Sequence, residues 1–160
     1  MYAIEVICEN VARTAALAHA FGPFVRPGDA ILLSGALASG KTYFVQNLVK
    51  TLGSSDRVTS PTYAIANSYQ TEAGPFLHVD AYRLSGVAEF RDLGFDDLDG
   101  AIVAIEWGEK LQSEFPNGLH MNFAFCGTEQ EQRRIRLSGS DARWAAPLAN
   151  LRDEFERMSP

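Results

Sequence analysis

Ala30-Ile31-Leu32-Leu33-Ser34-Gly35-Ala36-Leu37-Ala38-Ser39-Gly40-Lys41-Thr42 is the stretch that decides the fold. Ala30 to Ser34 is a short apolar run, the pattern of a strand buried on both faces. Gly35 to Thr42 then matches G-x-x-x-x-G-K-[ST] at every defined position. Phe44, Val45, Leu48, Val49 and Leu52 recur at helical spacing, and Gly53 closes that helix. Strand, glycine-bearing loop and helix in this order are the context a phosphate-binding P-loop requires. Successive backbone N–H groups of Leu37, Ala38, Ser39, Gly40 and Lys41 would curl around phosphates, with Gly40 permitting close approach. The helix beginning near Lys41 aims its positive dipole end at the same charge. Lys41 would reach the β- and γ-phosphates, and the Thr42 hydroxyl would ligate Mg²⁺. ATP with Mg²⁺ is the expected ligand.

Outward from this stretch, the chain alternates between strand and helix patterns. Ala3 to Cys8 reads as a strand, and Asn10 stands where a helix N-cap is expected before Val11, Leu17, Ala18 and Phe21. Gly22-Pro23 ends that helix, and Pro27-Gly28-Asp29 is a turn. Thr62 to Gln70 and Phe76 to Leu84 read as two strands of a hairpin around Thr71 to Pro75. Gly86 to Gly100 holds a short helix and an acidic loop with Asp92, Asp96, Asp97 and Asp99, read as solvated, with a partner-binding surface as the alternative. Ala101 to Ile105 is a second buried strand. Leu119 to Cys126 and Arg133 to Leu137 read as edge strands, and Ala142 to Met158 as a terminal helix. With no internal repeat and no Pro-, Gly- or Ser-rich linker, residues 1–160 are expected to form one α/β domain. The expected architecture is a P-loop NTPase-like three-layer fold, its central sheet mostly parallel with antiparallel additions.

Composition narrows the function classes. The net charge of -6, from 14 basic and 20 acidic residues, argues against a broad electrostatic grip on nucleic acid. Cys8 and Cys126 form no C-x-x-C pair and read as reduced thiols. No secretory leader pattern and no long apolar run is apparent, so a cytoplasmic protein without a membrane span is expected. No N-K-x-D motif supports guanine specificity, and no arginine-rich lid of a small-molecule kinase is evident.

A P-loop needs a second, metal-orienting acid from the end of another strand. Two carboxylates qualify. Glu106 ends the run Ala101-Ile102-Val103-Ala104-Ile105, and Asp80 lies in Leu77-His78-Val79-Asp80-Ala81-Tyr82. In a strand His78, Asp80 and Tyr82 would share one face. His78 itself reads as structural. Ser60-Pro61-Thr62 could be a γ-phosphate-sensing loop or an ordinary turn.

Five stretches run in order along the chain: GALASGKTYF from Gly35, VTSPTY from Val58, HVDAYRL from His78, LGFDDL from Leu93 and IEWGEKL from Ile105. On these motifs the chain resembles the TsaE (YjeE) family, small ATPases needed to make threonylcarbamoyladenosine (t6A) in bacterial tRNA. The resemblance implies that Thr42 and Glu106 hold Mg²⁺ and that Asp80 acts near the γ-phosphate as a base or water-orienting group. It also implies that Thr14 and Trp107 lie at the nucleotide, with Ser60 and Thr62 in a switch-like loop. It further implies a hydrolase with low intrinsic activity that docks on TsaB and TsaD and meets tRNA only indirectly. DNA is not an expected partner. A small P-loop kinase, or a non-catalytic nucleotide-dependent interaction module, would share the P-loop and metal site. Two departures stand out. The family usually has Gly-Ala where this chain has Ala38-Ser39, and Ala38 lacks glycine's freedom at positive φ. Proline is common where this chain has Gly108, a difference expected to matter little.

Overall fold

The Ala30 run becomes the middle strand of a seven-stranded sheet. In the computed structural model, which describes residues 1–54, 65–95 and 98–158, the elements follow in chain order. They are β1 (Tyr2–Cys8), α1 (Val11–Phe21), β2 (Ala30–Gly35), α2 (Lys41–Thr51), β3 (Ala66–Thr71) and β4 (Gly74–Asp80). Then come α3 (Val87–Asp92), β5 (Ile102–Glu106), β6 (Leu119–Phe125), β7 (Arg133–Gly139) and α4 (Ala145–Arg157). Their order across the sheet is β1-β7-β6-β2-β5-β4-β3.

The fold is α/β. The neighbouring strands β6, β2, β5 and β4 pair in parallel, while the β6–β7, β7–β1 and β4–β3 pairings are antiparallel. The parallel character is therefore confined to the four central strands. Ile31 and Leu33 point to one face, against Phe44, Val45 and Leu48 of α2 and Leu17 and Phe21 of α1. The same cluster takes in Leu148, Leu151 and Phe155 of α4. Leu77 and Val79 of β4 and Val103 and Ile105 of β5 point to the other face, against Phe90 of α3, Leu84 and Leu111. Two covered faces explain why β2 and β5 read as continuous apolar runs.

Two sequence expectations need correction. Strands β6 and β7 are interior, and the edges among the described residues are β1 and β3. Along Leu119–Phe125, buried Leu119, Met121 and Phe123 alternate with more exposed His120, Asn122 and Ala124. That alternation reports one covered face; it does not report whether a strand has one neighbour or two. The strand expected to run on to Leu84 ends at Asp80, and Ala81 to Leu84 turn away, so exposed Tyr82 is not on its face.

The remaining elements follow their local signals. Asn10 caps α1, its side chain accepting from Arg13 N at 2.9 Å. Strands β3 and β4 pair from Thr71↔Gly74 to Ala66↔Val79, the expected hairpin. The terminal helix starts as a 3₁₀ turn at Ala142–Trp144, whose cap Asp141 accepts from Arg143 N, and continues as α4. Ser60-Pro61-Thr62, Asp96 and Asp97 lie outside the described residues. No helix among the described residues is long and apolar enough to cross a membrane.

Candidate functional site

The carboxyl ends of β2, β4 and β5 meet the amino end of α2. Helix α2 begins at Lys41, directly after Gly40, whose φ of 108° is left-handed. Gly35, at φ 142°, has no room for a side chain: a Cβ there would lie 2.5 Å from the Phe123 carbonyl oxygen. Between them Ala38 takes φ 63°. The freedom that alanine lacks is thus used here, at a cost of about 1–2 kcal/mol for a non-glycine residue. The Ser39 N–H donates to the Ala36 carbonyl at 3.1 Å.

Lys41 is buried, and its ammonium donates to the carbonyls of Gly35 and Ala36 while lying 4.1 Å from the centre of the Trp107 ring. Burial pushes its pKa below the ordinary lysine range, opposed by the charges of Glu106, Glu109 and Asp80. Removing a cation from water disfavours its charged form, and nearby carboxylates favour it.

Register puts the two predicted acids side by side. Asp80 and Glu106 are the terminal residues of β4 and β5 and face each other across the ladder. The Thr42 hydroxyl lies 2.8 and 2.9 Å from the two Glu106 oxygens. Asp80 Oδ1 accepts from the Tyr82 N–H at 2.9 Å, which turns the chain out of the strand. After Glu106 the backbone reverses through Trp107, itself left-handed at φ 59°.

These residues border one cavity of 720 Å³, within the range of small-molecule sites. Leu37, Ala38, Ser39, Gly40, Lys41 and Thr42 line it from the loop, Thr14 from α1, and Asp80, Glu106 and Trp107 from the strand ends. Every predicted site residue among the described residues is therefore gathered at one place. Leu37 is 82% exposed at its mouth, whereas Thr14 is buried.

The same residues can be set against known proteins. The model of the threonylcarbamoyl adenosine biosynthesis protein TsaE family matches residues 8–135. The chain belongs to the TsaE family. A Streptomyces coelicolor protein named tRNA threonylcarbamoyladenosine biosynthesis protein TsaE is 37% identical over 136 residues, covering 81% of this chain and 92% of that one. The Bacillus subtilis protein of the same name is 31% identical, covering 84% and 78%. The crystal structure of Bacillus subtilis YdiB superimposes with a TM-score of 0.74 at 25% identity, covering 95% of each chain.

Within this TsaE domain, two residues outside the expected site set touch site residues: His78, which reads as structural from the sequence, and Arg133. His78 is fully buried, and its Nε2 lies 2.7 Å from Glu106 Oε2. Opposite an ionised carboxylate, which can only accept, Nε2 carries the proton. The H-x-D spacing put His78 and Asp80 on one strand face. What was missing was that β4 lies beside β5, which brings His78 within reach of Glu106. Arg133 is the second. It opens β7, far from the loop in sequence, yet donates to the carbonyls of Ser39 and Ala38. No local pattern announces it. Gly108 is also less neutral than expected in this TsaE chain, because a Cβ there would meet Leu32 Cβ at 2.6 Å and Cα at 2.7 Å.

Proposed function

We propose that this chain binds and hydrolyses ATP as an accessory protein for t6A modification of tRNA, working with TsaB and TsaD in the cytoplasm. The observation that carries this reading is the convergence of Lys41, Thr42, Asp80 and Glu106 on one cavity at the ends of three adjacent strands. Family membership supports the pathway, and the net negative charge fits a role that reaches tRNA through partners.

Each residue has a task on this reading. The loop amides and the amino end of α2 receive the phosphates. Lys41 lies buried on the loop carbonyls, and its ammonium is available to the β- and γ-phosphates. Thr14 and Trp107 border the nucleotide. Asp80, beside Glu106, orients or deprotonates the attacking water.

The donor set suits Mg²⁺. Thr42 and Glu106 offer hard oxygen atoms, and Mg²⁺ usually takes one or two carboxylates and fills its other positions with waters and phosphates. An all-protein cage is not required, and no cluster of three metal-binding His, Cys, Asp or Glu residues occurs among the described residues. When bound, the ion neutralises charge on the phosphates. His78 holds Glu106 in place through Nε2.

The test is ATP turnover by the purified chain mixed with TsaB and TsaD, with and without Mg²⁺. The reading expects Mg²⁺-dependent hydrolysis well above that of the partners alone. Hydrolysis no higher than theirs would overturn the ATPase assignment.

A further inference from the structure

We propose that Arg133 is a positioning residue: it clamps the left-handed turn at Ala38 and so keeps the 35–42 loop in its phosphate-receiving shape, an inference that rests on the nucleotide reading above. A non-glycine residue at φ 63° persists only where its surroundings over-determine it. The Ser39 amide and Lys41 hold the start of the turn on the Gly35 and Ala36 carbonyls, and one guanidinium holds the carbonyls of Ala38 and Ser39 themselves. Arg133 Nε donates to the Ser39 carbonyl at 2.8 Å and Nη2 to the Ala38 carbonyl at 3.3 Å. Its third nitrogen, Nη1, donates to the carbonyls of Gln130 at 2.6 Å and Gln132 at 3.0 Å. The ring of Phe125 lies 4.3 Å beneath it. Each partner is a carbonyl, so the group is spent on holding backbone.

The anchor is firm because Arg133 is paired on both sides, with Phe125 of β6 and with Cys8 of β1. The clamp therefore ties a strained loop to the interior of the sheet. Its consequence for phosphates follows from peptide planarity. With the carbonyls of Ala38 and Ser39 turned toward Arg133, the N–H groups of Ser39 and Gly40 point the opposite way. The Ser39 amide closes the turn onto the Ala36 carbonyl, and the Gly40 amide stands just before α2. Arginine suits this task because its planar fork reaches several acceptors at fixed angles, which a lysine ammonium does not.

Arg133 also borders the cavity, so a direct contact with phosphate is the competing role. Four proteins separate the two: wild type, Arg133→Lys, Ala38→Gly, and the double variant. The first readout is amide hydrogen exchange in nucleotide-free protein. Arg133→Lys should speed exchange at residues 38–42 while leaving β2 and the body of α2 unchanged. Ala38→Gly should lessen that effect. The second readout is affinity for a fluorescent ADP analogue. Arg133→Lys should weaken it about ten-fold, the size of one released left-handed alanine. Adding Ala38→Gly should restore it to within about three-fold, a non-additive pattern expected of coupled positions. Unchanged loop exchange in Arg133→Lys, or an affinity loss that Ala38→Gly does not rescue, would overturn the clamp. Failure of wild type to bind the analogue would instead strike the nucleotide reading, while the exchange data still judge the clamp.

Discussion

Two buried charged groups lie at different ends of the sheet, and they are treated in opposite ways. At the end where β2 begins, Asp29 and Arg143 form a closed pair. The Asp29 carboxylate accepts from Arg143 Nη2 at 2.6 Å, from Nε at 3.1 Å and from the Arg26 amide at 2.9 Å. Arg143 Nη2 also donates to the Phe24 carbonyl, and the guanidinium lies against the Trp144 ring. At the other end Lys41 and Glu106 are both buried, but Lys41 rests on carbonyls and an indole face while Glu106 takes Thr42 and His78. Ser39 Oγ and His78 Nδ1 are buried there without a hydrogen-bond partner among the described residues, and Ala38 and Trp107 are left-handed. The first arrangement is a finished staple. The second keeps charge, strain and unmet hydrogen-bonding capacity in one cavity, as expected of a site shaped for a ligand.

Substitutions can break this contrast from either side. Glu106→Gln keeps the shape and removes the charge. It should lower Mg²⁺-dependent turnover by about 10²–10³-fold, with thermal unfolding little changed. Steady-state hydrolysis beside a melting curve reads both. Arg143→Met should do the reverse. It strands the Asp29 carboxylate and should cost about 3 kcal/mol in denaturant unfolding while nucleotide affinity stays at the wild-type value.

Cys8 belongs to the cavity end, where it pairs across the sheet with Arg133. Burial pushes the thiol up from its ordinary 9.0 to about 11, with the Thr14 hydrogen bond and the Arg13 charge pulling the other way. A raised folded pKa means that the folded state holds its proton after the unfolded chain has lost it. The resulting stability is complete below pH 9 and is lost as pH rises toward 11. Wild type should thus lose about 2–3 kcal/mol more than Cys8→Ala across that window, measured by urea unfolding at each pH. The smallest effect concerns the turn after Glu106. Gly108→Ala should cost about 1–3 kcal/mol, because the new Cβ meets the Leu32 backbone.

Legibility in the sequence followed the same contrast. Strands β2 and β5 and the start of α2 were readable because burial on both faces leaves unbroken apolar runs and the loop carries a fixed spacing. Asp80 and Glu106 were readable as strand-end acids. Their adjacency was not, since it depends on β4 pairing with β5 in register. His78 reads as structural and is fully buried, and its contact with Glu106 depends on the same pairing. Strands β6 and β7 were misplaced to the edges because alternation reveals the wet face and is silent on the second neighbour. Arg133 was invisible, because a contact spanning more than ninety residues leaves no local trace. The Ala38 departure, by contrast, was visible as a missing glycine, and the backbone there is left-handed.

The central claim is that the open end of the sheet is a nucleotide site. Calorimetric titration of ATP with Mg²⁺ into wild type and Lys41→Met tests it most directly. The account predicts a single saturable site in wild type and a loss of at least about 100-fold in affinity in Lys41→Met, with the variant still folded. Equal affinity in the two proteins, or no heat of binding in wild type, would contradict it.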